Sequence, residues 1–273
     1  MGKFTAEGLR FYEEHGYFAP IRALSPQEAA RFRARLEEFE RNHSEQKVVL
    51  RNKTHLALQW ADELIRHPGI LDAVEQVIGP NILCWGSNFF IKNAHDKNFV
   101  SWHQDSTYWG LEPPDIVTAW VALSESTPAN GAMRVVPDTH KMDQVAHRDT
   151  FAGNNLLSRG QEIAVEVDED RAVALELQPG EMSLHHVRII HGSEPNPSNR
   201  RRIGFAIRYL PTHVRQIVGT KDSATLVRGV DTYGNFLPEH RPETDLAPAA
   251  LAFHAQVMQQ SEQVLMRKVR DRV

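Results

Sequence analysis

The amino-terminal part of the chain, residues 1–80, carries apolar positions at helical spacing. Phe32, Leu36 and Phe39 recur on one face of a predicted helix. The segment Ser25-Pro26-Gln27-Glu28 precedes them and supplies a capping serine, a proline for the first turn and a glutamate placed to close a capping box. We expect three further helices of the same kind, over about 55–66, 69–78 and 246–269.

From Asn81 onward the pattern changes to short apolar runs separated by Gly, Pro, Asn and Asp. These runs predict strands at 82–91, 116–123, 133–136, 172–177, 182–190 and 203–210. Such runs favour an all-β barrel or sandwich over alternating βαβ units. The polar stretch 141–160 shows little periodicity and is predicted to be a long loop.

We predict a single domain over 1–273, in which helices at 1–80 and a carboxyl-terminal helix at 245–270 flank a β core at 81–215. The apolar stripe of the last helix could close the core or face a partner, so the oligomeric state stays open. Core closure is the commoner use of such a stripe.

Composition excludes several classes of function. The formal net charge of -4 gives neither a basic footprint for nucleic acid nor a polybasic membrane signal. No apolar run approaches the roughly 18 residues of a membrane span, and the first residues lack the apolar core of a signal peptide. Cys84 is the only cysteine, so an intrachain disulfide is impossible and a cytoplasmic location is expected. The 14 histidines justify a search for a metal site.

The segment Ser101-Trp102-His103-Gln104-Asp105 is the strongest candidate for such a site. Residues i and i+2 of a strand point to the same side, so His103 and Asp105 can face one point. His191, which follows another apolar run, is the leading third ligand. Two histidines and one carboxylate leave three positions open on the metal, as in non-haem Fe(II) oxygenases, whereas a structural zinc site needs four ligands.

The same tripeptide pattern has simpler explanations. His103-Gln104-Asp105 is also compatible with a buried histidine that is hydrogen-bonded to a carboxylate and binds no metal. A second copy, His147-Arg148-Asp149, lies in the polar stretch without a flanking strand pattern, and we interpret it as loop surface.

The turn after His191 leads into three consecutive arginines, Arg200, Arg201 and Arg202. A cosubstrate with a distal carboxylate needs a charged bidentate partner, which Arg supplies and Lys does not. Strand alternation places Arg200 and Arg202 on one face and Arg201 on the other. For at least one of the three, a solvated turn is the expected environment.

Several motifs in order resemble the phytanoyl-CoA dioxygenase family of Fe(II)/2-oxoglutarate-dependent oxygenases. The resemblance extends roughly from Phe11 to Tyr209 and rests on Glu14-His15-Gly16-Tyr17, Trp102-His103-Gln104-Asp105, Ala119-Trp120-Val121-Ala122-Leu123, Asn130-Gly131-Ala132-Met133, Val136-Pro137, His191-Gly192-Ser193 and Pro195-Asn196. It implies a double-stranded β-helix, a cupin-like jelly roll, with the metal at one mouth.

The resemblance also assigns roles. His103, Asp105 and His191 match the family's iron ligands, and Arg202 matches the arginine that pairs with the C5 carboxylate of 2-oxoglutarate. Lys92 matches a basic position that contacts 2-oxoglutarate in some members. The alternative interpretation of Lys92 is a surface lysine at the end of a strand. The implied cofactors are Fe(II), 2-oxoglutarate and O2. The implied reaction is hydroxylation of an unactivated C–H bond in a small organic molecule, with release of succinate and CO2.

Two positions depart from the family pattern. Pro137-Asp138-Thr139-His140 stands where Pro-Gly-Ser-His is usual, and Gly204 stands where related enzymes often have a serine that assists the arginine. Ser193 and Thr118 are the candidates for that missing hydroxyl. By contrast, Asp105 fills the position that is Gly or Ala in related halogenases, which argues for a hydroxylase.

The substrate is less readable. Aromatic or polar residues near the ligands are candidates for its pocket, namely Trp102, Tyr108, Trp109, His186 and Arg188. Tyr108 and Trp109 also suit the core, and Arg188 also suits an ion pair. Two other classes of function remain in view: a barrel that binds metal or ligand without redox chemistry, and a zinc hydrolase or isomerase with the same ligands.

Overall fold

The computed structural model describes residues 4–107, 109–150, 153–157, 161–164, 167–219 and 221–270. Contacts divide the chain into two compact units. Unit 1 comprises Met1–Ala34, Phe90–Thr107 and Thr118–Ala206, and unit 2 comprises Arg35–Phe89, Tyr108–Val117 and Ile207–Val273.

The helices lie mostly where the apolar spacing predicts them, with bounds α1 Ala6–His15, α2 Pro26–Asn42, α3 Gln59–Ile65, α4 Pro68–Ile78 and α5 Pro248–Arg270. The capping box before α2 is confirmed, because Ser25 Oγ accepts from Glu28 N (3.2 Å) and Glu28 Oε2 accepts from Ser25 N (2.8 Å). Within the described residues, no helix combines the length and the apolar character needed to cross a membrane.

The prediction that residues 1–80 are all helical is wrong at one place. Tyr17–Arg22 forms a strand, β1, paired antiparallel with a strand at Glu181–His186. Pro20 hides this strand in the sequence, because proline lacks the N–H that a sheet needs. A proline is tolerated where β1 lies, at the edge of its sheet. Arg22 and Glu181 join the two strands with a salt bridge of 2.8 Å.

The remaining strands follow in chain order, with bounds β2 Ile82–Lys92, β3 Val100–His103, β4 Leu111–Glu112, β5 Val117–Ala122, β6 Arg134–Val136, β7 His147–Asp149, β8 Gln161–Ile163, β9 Val173–Ala174, β10 Glu181–His186, β11 Ile190–Ser193, β12 Arg202–Pro211, β13 Arg215–Gln216, β14 Ser223–Arg228 and β15 Leu237–Pro238. Strands β14 and β15 lie beyond residue 215, where the predicted β core ended.

Two sheets share a core in unit 1. One contributes the neighbouring strands β1-β10-β5-β12 of a seven-stranded sheet, and the other is the four-stranded sheet β3-β11-β6-β9. Trp120 and Ala206 from the first sheet pack with Val135 from the second in one buried apolar cluster. The metal-site candidates His103 and His191 belong to the second sheet, so this packing of sheet on sheet fixes the strands that carry them.

The stretch 141–160 is not simply a loop. Strands β7 and β8 form an antiparallel pair in which His147 lies opposite Ile163. Ile163 is buried with Val136 and Ile190, whereas Arg148 is exposed. Because one side of the pair faces solvent and the strands are only three residues long, the apolar pattern was too short to reveal them.

Unit 2 contains a buried cluster of charges. Glu239 accepts hydrogen bonds from Lys53 Nζ (2.6 Å), Ser223 Oγ (2.8 Å) and Thr225 Oγ1 (2.6 Å), and it lies 3.1 Å from His55 Nε2. Burial alone would raise the pKa of the Glu239 carboxyl. The charge of Lys53 and the hydrogen bonds from His55 and Lys53 outweigh burial and hold that pKa well below its usual range.

Replacing Glu239 with Gln should lower the free energy of unfolding at neutral pH by about 3–5 kcal/mol, since it leaves the buried Lys53 charge without its closest partner. The folded pKa of Glu239 lies below its ordinary value of 4.5, so its stabilisation is present above that pH and is lost as pH falls through the folded pKa. Urea denaturation at neutral and acid pH checks this. If the difference in the free energy of unfolding between wild type and E239Q stays the same on acidification, the stabilising role of the Glu239 charge is contradicted.

Candidate metal centre

The two candidate histidine ligands are brought together by strand pairing. Strands β3 and β11 run antiparallel, and His103 lies directly opposite His191. Their ring centroids are 4.1 Å apart, and both residues are buried. Asp105 follows β3 in a single 3₁₀ turn. Nitrogen and oxygen atoms of the three side chains all lie within 4.8 Å of one another, so the structure brings the predicted set into one cluster.

Backbone carbonyls fix the orientation of both imidazoles. His103 Nδ1 lies 2.9 Å from the Ser101 carbonyl, and His191 Nδ1 lies 3.0 Å from the Ile189 carbonyl. A carbonyl oxygen only accepts, so each Nδ1 must carry the hydrogen, which leaves the Nε2 lone pairs for a ligand. This is the arrangement in which protein histidines bind metals.

The electrostatics of the cluster also suit a divalent cation. His103 Nε2 and Asp105 Oδ1 are 3.4 Å apart. Burial and the neighbouring His103 hold the pKa of His191 well below its ordinary value, which favours the neutral imidazole that ligation requires. Two neutral imidazoles and one carboxylate on one face fit Fe(II), and the donor set lacks the thiolates typical of structural zinc.

Two buried basic side chains lie on neighbouring strands of the seven-stranded sheet, Lys92 at the end of β2 and Arg202 at the start of β12. Lys92 Nζ donates to Ser193 Oγ (2.7 Å) and to the Ser193 carbonyl (3.2 Å), two residues after His191. Arg202 Nη1 donates to the Gly131 carbonyl at 2.5 Å. The alternative that Lys92 is a surface lysine is wrong, because its side chain is fully buried.

Neither cation forms an ion pair with a carboxylate anywhere in the described ranges. Burial, followed by the charge of Arg202, lowers the pKa of Lys92 to about 6, and burial lowers that of Arg202 to about 10. Burial makes it costly to charge both groups, the charge of Asp96 offsets only part of that cost, and an incoming anion would favour their charged forms. Arg202 Nε and Thr118 Oγ1 are also buried without a hydrogen-bond partner. This cradle therefore fits a carboxylate.

The turn between His191 and Arg202 is held by Asn196. Its side-chain amide is fully buried, and it donates to the carbonyls of Asn93 and Arg200 at 2.7 Å each. Gly131 closes against the same turn with a positive φ of 78°, where an added Cβ would lie 2.4 Å from the Glu194 carbonyl. The motifs that carry the family resemblance thus position the cation pair.

The glycine at position 204 has a steric cause. A Cβ on Gly204 would lie 1.8 Å from Cζ2 of Trp120, so the indole occupies the space that a serine would need. The same ring lies 5.3 Å from the guanidinium carbon of Arg202. Trp120 therefore supports Arg202 where related enzymes use a serine.

Introducing Gly204→Ser should destabilise the protein by about 1–3 kcal/mol through overpacking and raise the 2-oxoglutarate requirement, because Trp120 must move off Arg202. Thermal melting and the KM for 2-oxoglutarate test this. Gly153→Ser is the matched control, since a Cβ there meets no atom within 4 Å. Adding Trp120→Phe to the first variant should recover part of the stability; no recovery would contradict the steric explanation.

The second departure from the family pattern also has a local explanation. Asp138 takes a positive φ of 71°, a conformation that suits glycine and that Asp tolerates better than most residues. Its carboxylate is held by His15 Nδ1 (2.8 Å) and Arg171 Nη2 (3.0 Å). The next residue, Thr139, accepts a hydrogen bond from the backbone N–H of Ile190 at 2.9 Å, directly before His191.

The predicted substrate residues scatter. The prediction that Trp102 lines the substrate pocket is not supported by its packing. Its side chain alternates away from His103 and packs against the apolar cluster that contains Val136 and Ile190. The guanidinium carbon of Arg134 lies 5.4 Å from the centre of its ring. Tyr108 lies outside the described residues. Trp109 belongs to unit 2, where its ring lies 4.9 Å from that of Trp85.

His186 and Arg188 lie at the end of β10 and in the turn that follows it. The ring of His186 is 5.5 Å from that of His140, and its Nδ1 accepts from the backbone N–H of Arg188. The ring beside the cluster is that of the preceding residue, His185, whose centroid lies 5.0 Å from that of His191. His185 was missed, because a turn separates β10 from β11 and alternation cannot be counted through it.

Comparison with known proteins agrees with this geometry. The family model for phytanoyl-CoA dioxygenase (PhyH) matches residues 12–204, so the chain belongs to the phytanoyl-CoA dioxygenase family. A probable alpha-ketoglutarate-dependent hypophosphite dioxygenase of Stutzerimonas stutzeri is 31% identical over 186 residues. That match covers 67% of this chain and 64% of the relative's own length. Alpha-ketoglutarate is another name for 2-oxoglutarate.

Solved structures extend the likeness. The non-heme monooxygenase ThoJ, in its apo form, has a TM-score of 0.86 at 36% identity and covers 96% of this chain and 99% of its own. CytC3 with Fe(II) and alpha-ketoglutarate has a TM-score of 0.65 at 27% identity, covering 85% and 92%. The predicted fold is confirmed: the chain has the mainly β, cupin-like fold of the 2-oxoglutarate-dependent oxygenases, with flanking helices.

Proposed function

We propose that this chain is a non-haem Fe(II)/2-oxoglutarate-dependent dioxygenase that hydroxylates an unactivated C–H bond of a small organic molecule. The observation that carries the proposal is the conjunction of two sites within unit 1. One is the cluster of His103, Asp105 and His191. The other is the buried cation pair Lys92 and Arg202. A barrel without redox chemistry has no need of both.

Each residue has a distinct role in this proposal. His103, Asp105 and His191 would hold the iron, and a set of three protein ligands would leave room on it for 2-oxoglutarate and O2. Arg202 binds the distal carboxylate, whose negative charge would favour the protonated form of Lys92, and Lys92 orders the Ser193 hydroxyl. Thr118, whose buried hydroxyl has no hydrogen-bond partner, stays a candidate for the hydroxyl that assists Arg202. When bound, the iron centre would supply the oxidation, in which 2-oxoglutarate, O2 and the C–H substrate give succinate, CO2 and the alcohol, with one oxygen atom of O2 in succinate and the other in the C–OH group.

The protein's own contribution is orientation and exclusion of water. His103 and His191 are 2% and 6% exposed, so uncommitted water is largely kept from the ligands. The Asp105 carboxylate occupies the third ligand position and supports hydroxylation over halogenation. We further propose that the two units together act as a single oxygenase domain, and that the protein works in the cytoplasm. His185 and Arg188 are the substrate contacts we would test first.

A substrate panel tests the proposal directly. The Fe(II)-loaded protein is incubated with 2-oxoglutarate and candidate small acids, cyclic amino acids and phosphorus oxyanions, and succinate is measured together with product mass. A substrate that raises succinate above the background and gains one oxygen atom supports a hydroxylase. Full turnover with Zn(II) in the absence of O2 would instead select a hydrolase or isomerase. Succinate that never rises above the metal-only background would favour a non-redox binding protein.

A further inference from the structure

The second His-x-Asp motif proves to be attached to the first. The backbone N–H of Gln104, the residue between the two ligands His103 and Asp105, donates to His147 Nε2 at 3.0 Å. His147 Nδ1 lies 2.8 Å from the Val145 carbonyl, so Nδ1 carries the hydrogen and Nε2 is the acceptor. The prediction that this motif is loop surface is therefore wrong: it forms strand β7, and its histidine is bonded to the first motif.

The side chain of Gln104 is bound at both ends. Its Oε1 accepts from Gln144 Nε2 (2.7 Å) and from the backbone N–H of Val145 (2.9 Å). Its Nε2 donates to the Arg188 carbonyl at 2.8 Å, in the turn that leads to His191. Gln104 is 1% exposed, whereas its partner Gln144 is exposed, so these bonds join a buried residue to the surface. We call Gln144, Val145 and His147 the clasp.

Residues that come after the clasp in the chain also bond to the part of the chain before His103. Ser101 Oγ donates to the Gln161 carbonyl at 2.5 Å and accepts from Asn155 Nδ2 at 2.8 Å. Backbone bonds join Phe99 to Asn154 (3.0 Å) and to Leu156 (2.9 Å). Several described residues between Gln144 and Gln161 are thus hydrogen-bonded to the segment from Phe99 to Gln104, which contains the ligand His103.

We propose that His147 is a positioning residue for the metal centre, and that the clasp sets the backbone between His103 and Asp105 so that imidazole and carboxylate face one cation. This inference rests on the proposed function, because it needs the metal cluster to be real. Its physical basis is that ligands must be held within about 0.5 Å of productive geometry by groups that are themselves fixed. Without an acceptor at His147, the buried Gln104 N–H is left unpaired and the peptide rotates to find water.

Substitutions at position 147 separate the acceptor from the bulk of the ring. In His147→Gln, the side-chain oxygen reaches the position of Nε2 and restores the acceptor. In His147→Asn, the amide reaches only the position of Nδ1, so the Gln104 N–H loses its partner. Asp149→Asn, on the same strand, is the control for general disturbance of β7.

Anaerobic calorimetric titration of the apoprotein with Co(II) gives the metal affinity without turnover. We expect His147→Asn to bind Co(II) about 10- to 100-fold more weakly, with His147→Gln and Asp149→Asn close to wild type. Hydrogen exchange read at the Gln104 amide should be faster in His147→Asn alone. Thermal melting in the absence of metal checks that the fold is retained.

The outcomes are distinguishable. Wild-type protein that binds no Co(II) overturns the metal centre and with it the proposed function. Wild-type binding with an unchanged His147→Asn affinity overturns the clasp and leaves the proposed function standing. The proposed role of the clasp is also overturned if Co(II) affinity falls equally in His147→Asn and His147→Gln while both melt at a lower temperature. The loss of affinity would then follow from general destabilisation.

Discussion

Asp105→Ala is expected to abolish succinate formation and to weaken Fe(II) binding by more than about 100-fold. Losing a supporting residue of a metal ligand already costs about 10- to 100-fold in affinity, and Asp105 is a ligand in this account. The variant leaves two neutral imidazoles, His103 and His191, with no negative charge to offset the cation. Calorimetric titration and succinate measurement on the same preparations give both numbers.

The chain supplies its own control in Asp149. Asp149 occupies the position in the second His-x-Asp motif that Asp105 occupies in the first. It lies on strand β7 and is not part of the metal cluster. Asp149→Ala should keep metal affinity and succinate formation near wild type. If the two alanine variants lose activity equally, Asp105 has no special role and the metal centre is wrongly placed.

Arg202→Ala should raise the KM for 2-oxoglutarate by about 100-fold or more, since truncating one partner of a buried charge pair costs about 2–5 kcal/mol. Arg202→Lys should recover little, because lysine cannot form the two parallel bonds that a guanidinium makes to a carboxylate. Metal affinity measured without 2-oxoglutarate should stay near wild type, as Arg202 lies outside the metal cluster.

Arg200→Ala is the matched control for this experiment. Arg200 is exposed and is paired with Glu125 at 2.5 Å, so its loss should leave the 2-oxoglutarate requirement unchanged. The sequence expectation that at least one of the three arginines is solvated agrees with that position. An unchanged KM in Arg202→Ala would remove this residue from the cosubstrate site and leave Lys92 as the main candidate.

The ligand set could be predicted from its motifs and from the family resemblance. The expected strand alternation is not how Asp105 reaches the cluster, because β3 ends at His103 and Asp105 lies in the 3₁₀ turn that follows. The direct pairing of His103 with His191 could not be predicted, because register between strands distant in sequence depends on the packed sheets. The choice of Nε2 as the ligand atom likewise depends on backbone carbonyls that only the fold brings near.

Other errors have identifiable causes. β1 was missed because Pro20 is compatible with a strand only at a sheet edge, and edge position is a property of the assembled sheet. Trp102 was assigned to the substrate because it adjoins a ligand, although adjacent residues of a strand face opposite sides. The sequence gives no sign of the role of His147, because its strand is too short to show an apolar pattern. In the structure, His147 Nε2 accepts a hydrogen bond from the backbone N–H of Gln104, the residue between two ligands.

Anaerobic titration of the apoprotein with Fe(II) and then 2-oxoglutarate tests the central claim most directly. If His103, Asp105 and His191 leave adjacent positions open and Arg202 receives the distal carboxylate, 2-oxoglutarate chelates the iron. A visible metal-to-ligand charge-transfer band then appears and saturates at one equivalent. We predict that band in the wild type, no band in Asp105→Ala, and a band in Arg202→Ala only at much higher 2-oxoglutarate. A wild-type protein that binds Fe(II) but develops no band would contradict the account.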